Sequence, residues 1–561
     1  SRAKTQILKQ RSMSAANTSQ IAVSLSEWAA QGDWRLYFLR RDRIEQVTPE
    51  AVQAVAVKYL QRNNRTVGLF IPTDKAEKVA IPPTPDLAAL LGDYKSSHAA
   101  MAEGEVFEAT PENIESRVKR LDLTEGIKAT LLEKKSRGQE AHLSLTLHYG
   151  NEENLQGYES AAGFLQELMM RGTQKLTYQQ LRDELDRLEA NMGMGGGGGR
   201  GGGGRRRGGG GGGPSMGSIT ISIQAKHDTL PAVLDLLRQV LREPLLPKDQ
   251  FELLKEERIA RMEEAKTEPG MLAPLALRRQ LNPYPADNIR YVPTTDESLD
   301  RLKKVTYEQV TQLYHDYLGA QDGDLTIVGD FDPAPCLASL KETLSGWKAA
   351  KPYARIARPM VDGQTAGRQS IDTPEKANAN YVAGLEFPLR DDDADYPALI
   401  MGNYILGSGT LSSRLGDRIR QKDGLSYGVS SSLTASEWDK RATLNIVAIC
   451  NPQNMTRLEK DVQEELDRLQ RDGVTKEELA MAKQGYLQSR KVGRTSDQAL
   501  LGMLSNLRQR DRTMKYEAEL EQKIEALTPE AVATAWRSHI DASKLAVVVA
   551  GDFAAPTATA Q

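Results

Sequence analysis

Arg420 and Tyr427 are the residues whose types and spacing point most directly to chemistry, with six residues between them. A guanidinium and a phenol on the two sides of one tight helix-to-strand turn can donate to the same ligand group. Leu411, Leu415 and Ile419 recur at fourfold spacing, which predicts a short helix with one stripe on a core, while Arg414, Arg418 and Arg420 point elsewhere. Gly424 can take the left-handed conformation that ends a helix, and Tyr427, Val429 and Leu433 alternate with small polar residues like a half-buried strand. The competing readings are plain. Arg420 could instead form a surface ion pair with Asp423 or Asp417, and Tyr427 could be an ordinary strand aromatic.

The elements around this turn repeat. Arg43 to Val52 leads through Val55 and Tyr59 into Thr66–Ile71; Arg301 to Val310 leads through Leu313 and Tyr317 into Leu325–Phe331; Lys523 to Val532 leads through Trp536 and Ile540 into Leu545–Phe553. In each copy a threonine (Thr48, Thr306, Thr528) is placed to cap a helix. Pro49 and Pro529 suit the first helical position, and Glu50, Glu308 and Glu530 complement the helix dipole. The apolar run that follows is a buried strand. A period of about two hundred residues marks duplicated domains, since solenoid repeats are roughly 20–50 residues long.

The lead Gly407-Ser-Gly409, then Ser413-Arg414-Leu415, then Arg420 and Tyr427, resembles the insulinase (pitrilysin) family of zinc metallopeptidases. The resemblance implies an α+β fold of repeated insulinase-type domains, each a mostly antiparallel sheet with helices packed on it, together forming half of a clamshell. Residues 1–73 would be the C-terminal part of one such domain, 74–114 a linker or hinge, 115–335 and 336–553 two domains, and 554–561 a tail. The chain, which begins with Ser1 inside a charged helical pattern, reads as the later part of a longer polypeptide.

In that family the Arg and Tyr of the R-x6-Y pattern come from the half without zinc and bind the peptide beside the scissile bond. The resemblance thus makes Arg420 and Tyr427 the catalytic candidates: Arg420 donating to a backbone carbonyl, Tyr427 to the oxygen that gains charge. The family's inverted zinc motif, H-x-x-E-H, falls on Gly163, Phe164, Leu165, Gln166 and Glu167, so both imidazoles and the general base are missing. Glu263 or Glu264, on a helix predicted over 249–267, would lie near the third ligand's place, where a lone carboxylate does not hold zinc. No metal is expected in this chain; zinc is expected in an N-terminal half or partner subunit, with a peptide as substrate. The alternative is a non-catalytic assembly homologue, like the core subunits of the respiratory bc1 complex. Resemblance alone suggests a bacterial periplasm or cell envelope.

Composition limits the remaining classes. Lys+Arg 73 against Asp+Glu 76 gives a net charge of −3, so no global field attracts nucleic acid or an anionic membrane. No run approaches the roughly 18 apolar residues of a membrane span. Cys336 and Cys450 are too far apart for a C-x-x-C site. His142 and His148 could share a strand face, yet no histidine pair has helical ligand spacing. The tract from Gly193 to Gly213, with Arg200 and Arg205–Arg207, lacks the interleaved aromatics that single-strand binding uses and reads as a surface loop between a helix ending at Asn191 and a strand from Ser218.

Overall fold

The computed structural model describes residues 2–62, 65, 86–92, 94–96, 103–195, 216–361, 364, 366–409 and 412–553. The first copy's expected strand at Thr66–Ile71, residues 74–85, 93 and 97–102 of the expected hinge, most of the glycine–arginine tract and the tail 554–561 lie outside the described residues.

Two mixed sheets carry the fold. The first contains β1 (Lys119–Asp122), β2 (Ile127–Glu133), β3 (Glu140–His148), β4 (Asn191–Met194), β5 (Ser218–Lys226) and β6 (Gly323–Gly329), in the order β1-β2-β6-β3-β5-β4. The second contains β7 (Gly367–Asp372), β8 (Ala379–Phe387), β9 (Ser426–Ala435), β10 (Ala442–Cys450) and β11 (Ala546–Gly551), in the order β7-β11-β8-β10-β9. From β2 and from β7 onward the orders are the same. In both sheets the strand that follows the repeated helix, β6 or β11, runs parallel to one neighbour and antiparallel to the other. The remaining pairs are antiparallel, as the α+β expectation requires. β4 and β5 are adjacent, so the glycine–arginine tract joins two strands of a hairpin; the expected helix ends before Asn191, which opens an edge strand instead.

The three threonine caps form as their chemistry predicts. The hydroxyls of Thr48, Thr306 and Thr528 accept hydrogen bonds from the N–H groups of Ala51, Gln309 and Ala531. In the second and third copies the apolar stripe behind the cap is fully covered: Val310, Leu313, Tyr317 and Leu318, and likewise Val532, Ala535, Trp536 and Ile540, are at most 3% exposed. In the first copy the equivalent Val52, Val55 and Leu60 are 57%, 57% and 84% exposed.

The two units exchange helices. The helix Pro269–Leu281, contiguous in sequence with the first unit, lays Ala273, Leu277 and Leu281 on Val382, Ala546, Val548 and Ala550 of the second sheet. Reciprocally, the helix Asp497–Gln509 lays Leu500, Leu501, Leu504 and Leu507 on Leu132 and Val328 of the first sheet. The sequence-based boundary at 336 falls inside the helix Pro333–Leu344, whose Cys336, Leu340 and Leu344 belong to the first core. Helical periodicity identifies an apolar face without saying which sheet receives it.

Candidate functional site

β3 shows how the sequence builds a cavity wall. Leu143, Leu145 and Leu147 enter the core, so period-two alternation turns His142, Ser144, Thr146 and His148 to the other face. Thr220, Ser222 and Gln224 of β5 continue that polar surface, which lines a cavity of about 3720 Å³. The helices Arg2–Ala16 and Thr18–Ala30, the helix Asp497–Gln509 and the segment around Tyr353–Arg358 supply the other walls. The first of these is tied down by ion pairs from Arg2 to Asp183 and Lys9 to Asp186, at 2.7 and 2.9 Å. Pockets for small ligands are about 300–1,000 Å³, so this space suits an extended chain better than a metabolite.

The histidine pair does share this wall, as alternation predicts. His148 stacks on Tyr353, with ring centroids 5.2 Å apart, and approaches Asp324 at 3.5 Å. Burial pushes the His142 pKa down, and the same burial pushes the neighbouring Glu140 up to about 7, opposed by the hydrogen bond from Gln224 and the charge of Lys226. Among the described residues no group of three or more His, Cys, Asp or Glu is arranged to hold a metal ion.

The pentad 163–167 lies on the helix Glu159–Met169 and its place is filled by a cation from a neighbouring helix. Arg258, on Lys248–Ala265, donates from Nη2 to the carbonyl oxygen of Gly163 at 2.8 Å and to the Glu167 carboxylate at 2.9 Å. Its guanidinium lies 4.1 Å from the centre of the Phe164 ring. Gln166 is buried and donates to the Ser218 carbonyl. Glu263 is held by Lys266 and Lys303, and Glu264 is exposed. Where a zinc site would need three converging ligands, these residues instead present a guanidinium, an amide and a paired carboxylate; they do not fit the metal.

Arg420 and Tyr427 sit elsewhere, at the free edge of the second sheet. The expected short helix is present as Arg414–Lys422, most of it in wide turns, and buries Leu415 and Ile419. Gly424 ends it with φ +61°. Ser413-Arg414-Leu415 is structural: Ser413 accepts from the Gly416 N–H, and buried Arg414 donates to Glu478 at 2.8 and 2.9 Å and to the Gly473 carbonyl at 2.8 Å. Asp423 is taken by Arg418 and Arg457, and Asp417 by Ser412. Arg420 is exposed and has no ion pair or hydrogen bond among the described residues, which removes its surface-pair reading. It does not line the large cavity.

Tyr427 occupies a feature that sequence reasoning missed. β10 pairs Ile449 with Gly428 and then Cys450 with Ser426, so Tyr427 is the extra residue of a β-bulge. The Ser426 hydroxyl bonds the Gly428 backbone at 3.0 Å and fixes the bulge. The Tyr427 side chain lies outside the described part of the structure. One sequence clue was available: a serine two residues before a glycine can close a local turn on itself.

Comparison with known proteins places this geometry. Residues 304–486 match the family model described as the peptidase M16 inactive domain. Over those residues, about a third of its length, the chain is similar to the insulinase-type, or M16, peptidase family. An uncharacterized zinc protease of Streptomyces coelicolor is 23% identical over 210 residues, 37% of this chain and 43% of the relative. The chain therefore spans less than half the length of that curated relative. A peptidase M16 inactive domain from Pseudomonas fluorescens has the same fold, with TM-score 0.64 at 22% identity over 77% of this chain and 98% of that one. The periplasmic protease PqqL from Escherichia coli gives TM-score 0.61 at 15% identity over 91% of this chain and 51% of that one. Among the described residues no helix is long and apolar enough to cross a membrane.

Proposed function

We propose that this chain is the peptide-holding, zinc-free portion of an M16 metallopeptidase and works with a zinc-bearing half supplied in cis or as a partner subunit. The observation that carries the reading is the Arg258–Glu167 pair in the place of the zinc motif, beside a polar cavity large enough for a peptide. A cation held between Gly163 and Glu167 stabilises a fold that has no metal there, so hydrolysis would occur at zinc held by other residues. The uncovered stripe Val52, Val55 and Leu60 supports the need for a partner, because both complete copies of that helix bury the same positions under a sheet. Arg420, exposed and unpaired, would then reach a peptide at the junction with the zinc half, and Tyr427 would stand beside it on its bulge. A periplasmic location, by likeness to the Escherichia coli protein, goes with this reading.

The test is reconstitution with a co-encoded M16 half that has an intact H-x-x-E-H. Cleavage of an unstructured peptide should require both proteins and stop on chelation. If both proteins assemble but turnover equals that of the zinc half alone, the chain is an assembly component instead.

A further inference from the structure

At the second-sheet end of the cavity five arginines crowd together, and the acids near them satisfy three. Arg290 grips Glu152 with two nitrogens at 2.5 Å, Arg355 grips Asp439 with two at 2.9 Å, and Arg441 is bonded to Glu386 and to Asn282. Arg278, on the exchanged helix Pro269–Leu281, and Arg358, in the segment joining the units, are left over. Both line the cavity and both are open to solvent. Neither side chain has a hydrogen bond or ion pair among the described residues. Among the described residues the carboxylate that touches Arg358, Asp439, accepts from its backbone N–H and pairs its two oxygens with the Arg355 guanidinium.

Surrounding protein disfavours the charged form of each. Although each residue is open to the cavity, the protein walls around its guanidinium partly desolvate it and lower the Arg278 pKa, and the same desolvation followed by Arg441, Arg290 and Arg278 itself lowers that of Arg358. Like charges gathered in a partly desolvated recess are unfavourable until an anion joins them. The fork of a guanidinium fits a carboxylate with two parallel hydrogen bonds, and such pairs are about twice as strong as neutral ones.

We propose that Arg278 and Arg358 form a carboxylate subsite of the cavity, which takes the C-terminal carboxylate or an acidic side chain of a bound peptide. This rests on reading the cavity as a peptide chamber and adds the chemistry by which it selects its occupant. Because one arginine comes from the exchanged helix and the other from the inter-unit segment, an anion bound by both would also brace the two units.

The experiment uses the full chain and fluorescence anisotropy with four versions of one short peptide: acidic with a free C-terminus, the same peptide amidated, the same with its glutamates replaced by glutamine, and a version with both changes. The fully acidic peptide should bind at least about tenfold more tightly than the fully neutral one. Arg278→Gln with Arg358→Gln should abolish the difference, and whichever single change weakens binding identifies the source of the carboxylate. Equal binding of the acidic and neutral versions overturns the subsite and leaves the chamber intact. A second readout does not depend on the variants or on peptide binding: phenylglyoxal labelling of Arg278 and Arg358, followed by mass spectrometry, with and without citrate. If no peptide binds, protection by citrate sustains the subsite while the chamber reading falls; absence of protection then overturns both.

Discussion

Arg258 donates to Glu167 at 2.9 Å, and this contact ties the helix that carries the pentad, Glu159–Met169, to the helix Lys248–Ala265. The same guanidinium reaches the Gly163 carbonyl, so it spans the two positions at which the inverted motif has histidines. The guanidinium thus cross-links the two helices through one carbonyl and one carboxylate.

Arg258→Ala should therefore destabilise the fold without creating a metal site. The loss is two charge-assisted hydrogen bonds and a ring contact, in all about 2 kcal/mol. Arg258→Lys should recover part of it, since the charge remains and the fork does not. Denaturant unfolding measures the first claim; zinc titration by calorimetry, showing no stoichiometric uptake in either variant, measures the second.

Glu140 predicts a pH dependence of known sign. Its pKa in the folded protein, about 7, lies above the ordinary glutamate value, chiefly because it is buried. The folded state thus favours the protonated form, and this contribution is complete below about pH 4.5 and is lost as pH rises to about 7. His142 is shifted downward and acts in the opposite direction, so the comparison must be a difference. The stability of the natural chain minus that of Glu140→Gln should fall by up to about 3 kcal/mol between pH 4.5 and 7 and be flat above. A difference that does not change with pH would remove Glu140 from the acid–base balance of the cavity.

The exchanged helices predict that the two units unfold together. Leu504 and Leu277 each lie against the sheet of the opposite unit and are 1% and 6% exposed. Leu504→Ala and Leu277→Ala should each cost about 3 kcal/mol and lower the midpoint of one common transition. Two separate transitions, with each variant moving only one, would show that the helices do not couple the units.

These contacts separate what was legible in the sequence from what was not. Capping threonines, the alternating leucines of β3 and the helical stripe at Leu415 and Ile419 declare themselves because each depends on residues a few positions away. The degenerate pentad was legible for the same reason. What fills it was not: Arg258 meets Gly163 and Glu167 across 95 and 91 residues, and in sequence it is one arginine in a charged helix. Nor could periodicity show that Leu504 leaves its own unit for the other sheet, or that the neighbouring acids pair with Arg290, Arg355 and Arg441 and not with the side chains of Arg278 and Arg358. Pairwise satisfaction is a property of the assembled surface, and only the fold distributes it.

Arg420 and Tyr427 predict the most specific loss of function. Asp417 and Asp423 are committed to Ser412, Arg418 and Arg457, so Arg420→Ala removes no hydrogen bond or ion pair among the described residues and should leave the unfolding midpoint unchanged. Tyr427 is the unmatched residue of the β9–β10 ladder, and Tyr427→Phe deletes only the hydroxyl. In the reconstituted peptidase each change should lower kcat/KM by about a hundredfold, Tyr427→Phe because a preorganised donor to the developing oxyanion is lost and Arg420→Ala because a donor that positions the peptide is lost. Arg420→Ala should also weaken peptide binding, whereas Tyr427→Phe should act on turnover with little change in KM, because the oxygen it serves gains charge only during reaction. A Tyr427→Phe enzyme with unchanged turnover would instead make the bulge a device for ending the sheet edge and remove the phenol from the mechanism.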